Sequence, residues 1–223
     1  NVRILTWKKE FNYSAINNFA VREAQGEYLL FLNNDVEIIT ENWLEEMLQL
    51  CQQKDVGMAG AKLYYPDDTI QHAGVVVGLG GVAAHVLCKL PRDAEGYMGR
   101  LRCVQEISAV TAACMMVKTS VFKAVGGFDE ELKVAFNDID LCMKVRKYGV
   151  KIVFTPYAEL YHYESKSRGM EDTPEKQLRF SREVNCFRRK WERELLKGDP
   201  YYNPNLTLNN TDCSLRKQEK NGD

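Results

Sequence analysis

The chain has 223 residues, of which 45% are hydrophobic and 27% charged; this is enough apolar material for one sizeable domain with a core and excludes disorder over the whole length. Thirty Lys and Arg against 31 Asp and Glu leave a net charge of −1, so no overall positive field draws the protein to nucleic acid or acidic lipid, and any anionic ligand must be held locally. The longest weakly polar run, Ala73 to Ala84, is broken by Gly74, Gly78, Gly80 and Gly81 and is far short of the roughly 20 apolar residues that a membrane span needs.

The seven cysteines have irregular spacing with no C-x-x-C, which gives neither a disulfide framework nor a zinc ribbon and points to a reducing cytoplasm. The chain opens at Asn1 on a strand-like Val2-Arg3-Ile4-Leu5-Thr6-Trp7 with no Met or signal sequence, and so reads as a piece of a longer protein. Ser14 is placed to cap a helix carrying Ile16, Phe19, Ala20 and Ala24 on one face, stopped at Gly26. Glu27 to Leu32 is apolar without alternation, as in a strand covered on both faces, and ends at Asn33-Asn34-Asp35. A helix is expected from Thr40, with Trp43, Leu44, Met47, Leu48 and Cys51 at helical spacing, followed by a buried strand from Val56 to Leu63.

From Tyr64 to Arg102 the sequence is rich in Gly, Pro and Asp, and only Ile70 to Val77 reads as a strand. Val104 to Val117 is extended and apolar, Gly126-Gly127 breaks the chain, and Asn137 or Asp138 starts a helix running to Tyr148. Val150 to Phe154 and Ala158 to Tyr163 read as two strands. Thr173 before Pro174 is a helix start with Pro at the first position, and Phe180, Val184, Phe187, Trp191 and Leu195 form one stripe along the helix that follows. The alternation predicts an α/β layered domain with a mixed, mainly parallel sheet, spanning residues 1–199, and an irregular tail over 200–223.

Three places could carry chemistry. Asp35, with Asn33 and Asn34, follows a buried strand directly, where open α/β sheets bind ligands; one carboxylate with neighbouring amides suits a hard divalent cation completed by substrate phosphates, although Asn and Asp are equally frequent in plain turns. Asp138 and Asp140 at a helix start could remain ionised and take a proton, or simply cap the helix. His162, ahead of the basic Ser165-Lys166-Ser167-Arg168-Gly169, could ligate a metal while Lys166 and Arg168 neutralise phosphate, or serve a structural role. His72 and His85 have no comparable sequence support, and no P-loop or G-x-G-x-x-G is present.

Taken in order, Phe11 to Asn18, Gly26 to Asp35, Thr69-Ile70-Gln71-His72-Ala73-Gly74, Val110 to Cys114, Val125 to Asp129, Asn137 to Cys142, Leu160-Tyr161-His162 and Asp199 to Leu206 make the chain resemble family 2 glycosyltransferases of the GT-A fold, in particular bacterial enzymes that build O-antigen and rhamnan-type surface polysaccharides. The resemblance implies a nucleotide-diphospho-sugar donor and a divalent metal, Mn²⁺ or Mg²⁺, bound by Asp35 with a further contact from His162. It implies that Asn33 and Asn34 lie beside the donor, that Asn17 and Asn18 are on the helix facing the nucleotide, and that Asp138 is the catalytic base; Asn137 stands where the family usually has a first acid. It further implies an inverting transfer to a saccharide or lipid-linked saccharide acceptor, in the cytoplasm or peripherally at the inner face of the membrane. Arg188-Arg189-Lys190-Trp191 does not reproduce the Q-x-x-R-W element of processive synthases, so transfer of one or a few sugars is expected. Family members begin with a strand and an acidic residue that hold the nucleotide base; no such segment precedes Asn1, so the chain is expected to hold part of the donor site and to be inactive alone. A metal-dependent phosphohydrolase and a noncatalytic carbohydrate-binding or scaffold fragment are the competing readings.

Overall fold

A computed structural model describes residues 2–164 and 173–217; the basic segment with Lys166 and Arg168 lies outside them. In chain order the elements are α1 (Tyr13–Val21), β1 (Tyr28–Leu32), β2 (Val36–Ile38), α2 (Trp43–Cys51), β3 (Val56–Tyr64), β4 (Ile70–His72), β5 (Val75–Val77), β6 (Ala83–His85), β7 (Gln105–Glu106), β8 (Cys114–Lys118), α3 (Thr119–Ala124), α4 (Asn137–Tyr148), β9 (Lys151–His162), α5 (Pro174–Lys190) and α6 (Glu192–Lys197). Among the described residues, seven strands form one sheet along the path β1-β8-β3-β9-β2, with β4 on β3 and β7 on β9, while β5 and β6 pair separately. The α/β class is as expected, but the mainly parallel pairing is not: only β3 and β9 pair in parallel, and the other ladders are antiparallel. The buried runs β1, β3 and β9 do point the same way, but β8 enters from the opposite direction between β1 and β3, and the sequence of a strand buried on both faces does not reveal its direction.

Several boundaries differ from expectation for local reasons. Residues 2–7 are not a strand; no ladder partner among the described residues meets them, and Val2 and Ile4 stand in solvent. Helix α1 is capped by Asn12, whose side chain accepts from the Ala15 N–H, so Ser14 lies inside the helix and its hydroxyl donates to the Leu132 carbonyl. Ile70 to Val77 divides into β4 and β5 because Gly74, at φ 101°, turns the chain out of the main sheet. The two strands expected on either side of Pro156 are one, β9, whose pairing with β3 slips between Gly60 and Lys62; such a bulge accommodates a proline within a sheet. Thr173 caps α5 with Pro174 at the first position, as expected.

Every residue of β3 is buried, with α2 on one face of the sheet through Trp43, Met47 and Cys51 and with Ile139, Val145 and Phe187 of α4 and α5 in the cluster on the other. Residues 200–217 carry no helix or strand, yet Tyr202, Leu206 and Cys213 are buried in the same core, and the Thr207 N–H donates to the Ser214 carbonyl. All seven cysteines are free, and burial pushes the thiols of Cys51 and Cys114 up to about 12. Among the described residues no helix is long and apolar enough to cross a membrane.

Gly60 sits at the centre of this packing, where an added Cβ would lie 2.3 Å from Cγ1 of Val110. Gly60→Ala is therefore expected to cost about 1–3 kcal/mol through overpacking, read as a lowered urea midpoint with an unchanged denaturant slope.

Candidate active site

The register of two strand pairs builds the site. Leu32, the last residue of β1, lies opposite Cys114, and the Asn33 N–H donates to the Ala113 carbonyl at 3.0 Å, so the Asn33-Asn34-Asp35 turn runs beside Thr111 to Ala113. Val36 of β2 lies opposite His162 at the end of β9, and the Tyr163 N–H donates to the Asp35 carbonyl at 2.8 Å. Asp35 and His162 thus meet although they lie 127 positions apart in the chain: Nε2 of His162 is 3.3 Å from Oδ1 of Asp35. The start of α4 closes the third side, with the Ala112 N–H donating to Oδ2 of Asp138 at 3.2 Å. Asn17, Asn33, Asn34, Asp35, Asp138 and His162 all line the resulting crevice of about 430 Å³.

Gln71 fixes the His162 ring. Its Nε2 amide donates to the His162 carbonyl at 3.1 Å, which turns Oε1 toward Nδ1 of His162 at 2.7 Å. Oε1 can only accept, so the imidazole proton is on Nδ1 and, in the neutral ring, Nε2 presents a lone pair. That lone pair faces the Asn33 amide at 3.1 Å and Asp35, whose Oδ1 is buried without a hydrogen-bond partner. A partnerless buried carboxylate oxygen beside an imidazole lone pair is a donor set that a divalent cation fits. No group of three metal-ligating side chains occurs among the described residues, so Asp35 and His162 alone would leave most of a cation's shell to other ligands.

Neither Asn137 nor Asp138 is the N-cap of α4. That position is Phe136, at φ 61°, whose ring packs against Phe187 and Phe180. Asn137 is buried and donates to the Val134 carbonyl, so it braces the loop. Both oxygens of Asp138 accept backbone hydrogens, from Ala112 and Ile139, and each oxygen keeps a further lone pair. Asp140 is fully buried and points the other way, accepting from Trp191 Nε1 at 2.8 Å and pairing with Lys190 at 2.8 Å and Lys144 at 3.4 Å. Asn18 does not reach the crevice: its side chain brackets Phe128, donating to the carbonyl and accepting from the N–H at 2.9 Å each. Asn17 does line the crevice, with its amide donating to the Tyr13 carbonyl one turn earlier.

The model of the family described as "Glycosyltransferase like family" matches residues 1–183. The chain belongs to this glycosyltransferase family. Over 215 residues, 96% of the chain, it is 56% identical to the uncharacterised protein y4gI of Sinorhizobium fredii, covering 24% of that protein. Over 220 residues, 98% of the chain, it is 42% identical to the O-antigen biosynthesis protein RfbC of Myxococcus xanthus, covering 17% of it. The chain therefore spans about a quarter or less of the length of these relatives. Among solved structures, the mannosyltransferase PcManGT from Pyrobaculum calidifontis, in complex with GDP-Man and Mn²⁺, is similar with a TM-score of 0.54 at 15% identity, over 83% of this chain and 45% of that one. GalNAc-T7 with UDP, GalNAc and Mn²⁺ gives a TM-score of 0.60 at 13% identity, over 85% of this chain and 36% of that one. These likenesses make the fold GT-A.

In this glycosyltransferase domain no role for Gln71, His72, His85 or Glu164 was legible from sequence alone, although Glu164 lines the crevice and Gln71 orients His162. The available signals were the polar pair Gln71-His72 inside the otherwise apolar run from Ile70 to Val77 and its place in the segment Thr69 to Gly74 that carries the family resemblance. A larger groove of about 940 Å³ lies between α5 and residues 131–134, carries mixed charge and contains none of the expected site residues. On its inner wall Glu183 of α5, itself buried, accepts from the N–H groups of Val134 and Ala135 at 2.9 and 3.0 Å, steadying the loop that leads into Asp138. Glu183→Ala leaves both amides unpaired and is expected to lower unfolding stability by about 1–3 kcal/mol, measured by urea titration.

Proposed function

We propose that this domain transfers a sugar from a nucleotide-diphospho-sugar to a hydroxyl of a saccharide or lipid-linked saccharide, with inversion, in the synthesis of cell-surface polysaccharide. The observation that carries the reading is the meeting of Asp35, His162 and Asp138 in one crevice, with Nε2 of His162 3.3 Å from the partnerless Oδ1 of Asp35. Family membership, the likeness to an O-antigen biosynthesis protein and the GT-A neighbours with Mn²⁺ and nucleotides or nucleotide sugars support it. The free thiols and the class of donor favour the cytoplasm, with the acceptor met at the inner face of the membrane.

Asp35 and His162 would hold a divalent cation, Mn²⁺ or Mg²⁺. When bound, such a cation supplies Lewis-acid stabilisation of the negative charge that builds on the diphosphate as the sugar departs. Gln71 keeps His162 in the tautomer that such binding needs, and Asn17, Asn33 and Asn34 lie where they can donate to the nucleotide-sugar. Asp138, fixed by Ala112 and Ile139, takes the proton of the acceptor hydroxyl as its oxygen attacks the anomeric carbon from the face opposite the diphosphate.

The test is incubation with Mn²⁺ and a panel of nucleotide sugars that includes GDP-mannose and UDP-GalNAc, reading both transfer to alkyl glycosides and hydrolysis of the donor. Asp138→Asn is expected to lower turnover ~10²-fold while leaving nucleotide affinity nearly unchanged. Asp35→Asn is expected to weaken Mn²⁺-dependent nucleotide binding ~10-fold or more in calorimetric titration. Phosphate release from simple esters would instead identify a phosphohydrolase, and saccharide binding without turnover a noncatalytic module.

A further inference from the structure

The two other histidines form a pair that adjoins the crevice and has no part in the scheme above. His72, the last residue of β4, is fully buried, and its Nδ1 is 2.9 Å from Nδ1 of His85, the last residue of β6. The two rings stand nearly perpendicular, at 82°. On its other side Nε2 of His72 meets the backbone N–H of Thr111 at 3.4 Å.

These contacts leave one assignment of protons. A backbone N–H can only donate, so Nε2 of His72 accepts and the neutral ring carries its proton on Nδ1. His72 Nδ1–H then donates to Nδ1 of His85, which puts the His85 proton on Nε2. A proton added to Nε2 of His72 would oppose the Thr111 N–H, and one added to Nδ1 of His85 would oppose the proton of His72. Burial pushes the pKa of both rings below the ordinary value, with His85 adding to it at His72, and with Asp138 and Glu164 acting in the opposite sense at His85.

The segment that this pair holds forms a wall of the crevice. The Thr111 N–H is anchored to His72, the next amide, Ala112 N–H, donates to Asp138, the Ala112 carbonyl accepts from Tyr13 Oη at 3.2 Å, and the Ala113 carbonyl accepts from Asn33. The hairpin carrying His85 is tied to the same segment, because Val75 lies opposite His85 and its N–H donates to the Ala109 carbonyl. We propose that His72 and His85 are a tautomer-locked pair of positioning residues that fixes the Thr111-Ala112 wall and, through the Ala112 amide, the carboxylate of Asp138. What the positioned carboxylate does rests on the sugar-transfer reading; the positioning does not.

Long-range proton–nitrogen spectra of the ¹⁵N-labelled chain at neutral pH read the lock directly, with ring signals assigned through His85→Phe and His85→Asn. The expected result is His72 protonated on Nδ1 and bare on Nε2, and His85 the reverse; a His72 protonated on Nε2 overturns the proposal. His85→Phe removes the acceptor of the His72 proton and should shift the Thr111 and Ala112 amide resonances together with the Asp138 carboxyl carbon; unmoved resonances also overturn it. In the transfer assay, His85→Phe should lower kcat ~10-fold or more, as a displaced catalytic group does, with Mn²⁺-dependent GDP or UDP affinity within about twofold. His85→Asn, whose Oδ1 can take the place of Nδ1, should recover most of that loss, and an unchanged kcat in His85→Phe counts against the pair. Correct tautomers and shifted resonances in a chain that transfers no sugar would support the positioning and overturn the sugar-transfer reading alone.

Discussion

A slip of one residue between β2 and β9 would turn His162 to the opposite face of the sheet and take it from Asp35. The register that prevents this is set by Val36 opposite His162 and by the hydrogen bond from the Tyr163 amide to the Asp35 carbonyl. The same pairing leaves Oδ1 of Asp35 buried and unpartnered, a local cost that structure elsewhere must offset. Polar side chains placed where only a ligand can complete them are common where a fold trades stability for function.

The offset comes from the body of the domain. Asp140, fully buried, joins α4 to the end of α5 through Trp191 and Lys190, and Lys190 reaches on to Asp129 at 2.6 Å. Burial lowers the pKa of Lys190, but its bonds to Asp129 and Asp140 outweigh this and raise it, so the ammonium stays charged. Removing one partner from such a cluster leaves a buried charge uncompensated, which is costly. Glu183 on the same helix holds the loop before α4. Two carboxylates that take no part in the crevice thereby determine where the start of α4, and Asp138 with it, can sit.

The sequence made the strand and helix types legible wherever one period ran long enough. β1, β3, α2, α4 and α5 were expected close to where they lie because their apolar residues are unbroken or spaced by three and four. Strand direction was hidden, since β8 between β1 and β3 has the same apolar character in either sense. The stretch from Tyr64 to Arg102 was hidden too: Asp68, Leu87, Lys89 and Met98 have positive φ there, and chain reversals this close together leave no period to read. Asp35, Asp138 and His162 were named from residue type and family resemblance, and the structure brings them together. Asn18 was misplaced because neighbours on a helix diverge by about 100° in direction, so one face of α1 takes Asn17 and another takes Asn18. The partners Gln71, His72 and His85 could be given no role, because a buried polar residue shows its purpose only when its contact, up to 91 positions away, is known.

The central claim is that Asp35 and His162 together hold the cation on which the donor diphosphate rests. Pulsed electron paramagnetic resonance of Mn²⁺ bound with GDP or UDP tests it most directly, using the chain with ¹⁵N in its histidine rings. The account predicts a directly coordinated imidazole nitrogen that disappears in His162→Ala. A Mn²⁺–nucleotide complex with no histidine nitrogen in its coordination shell would contradict it.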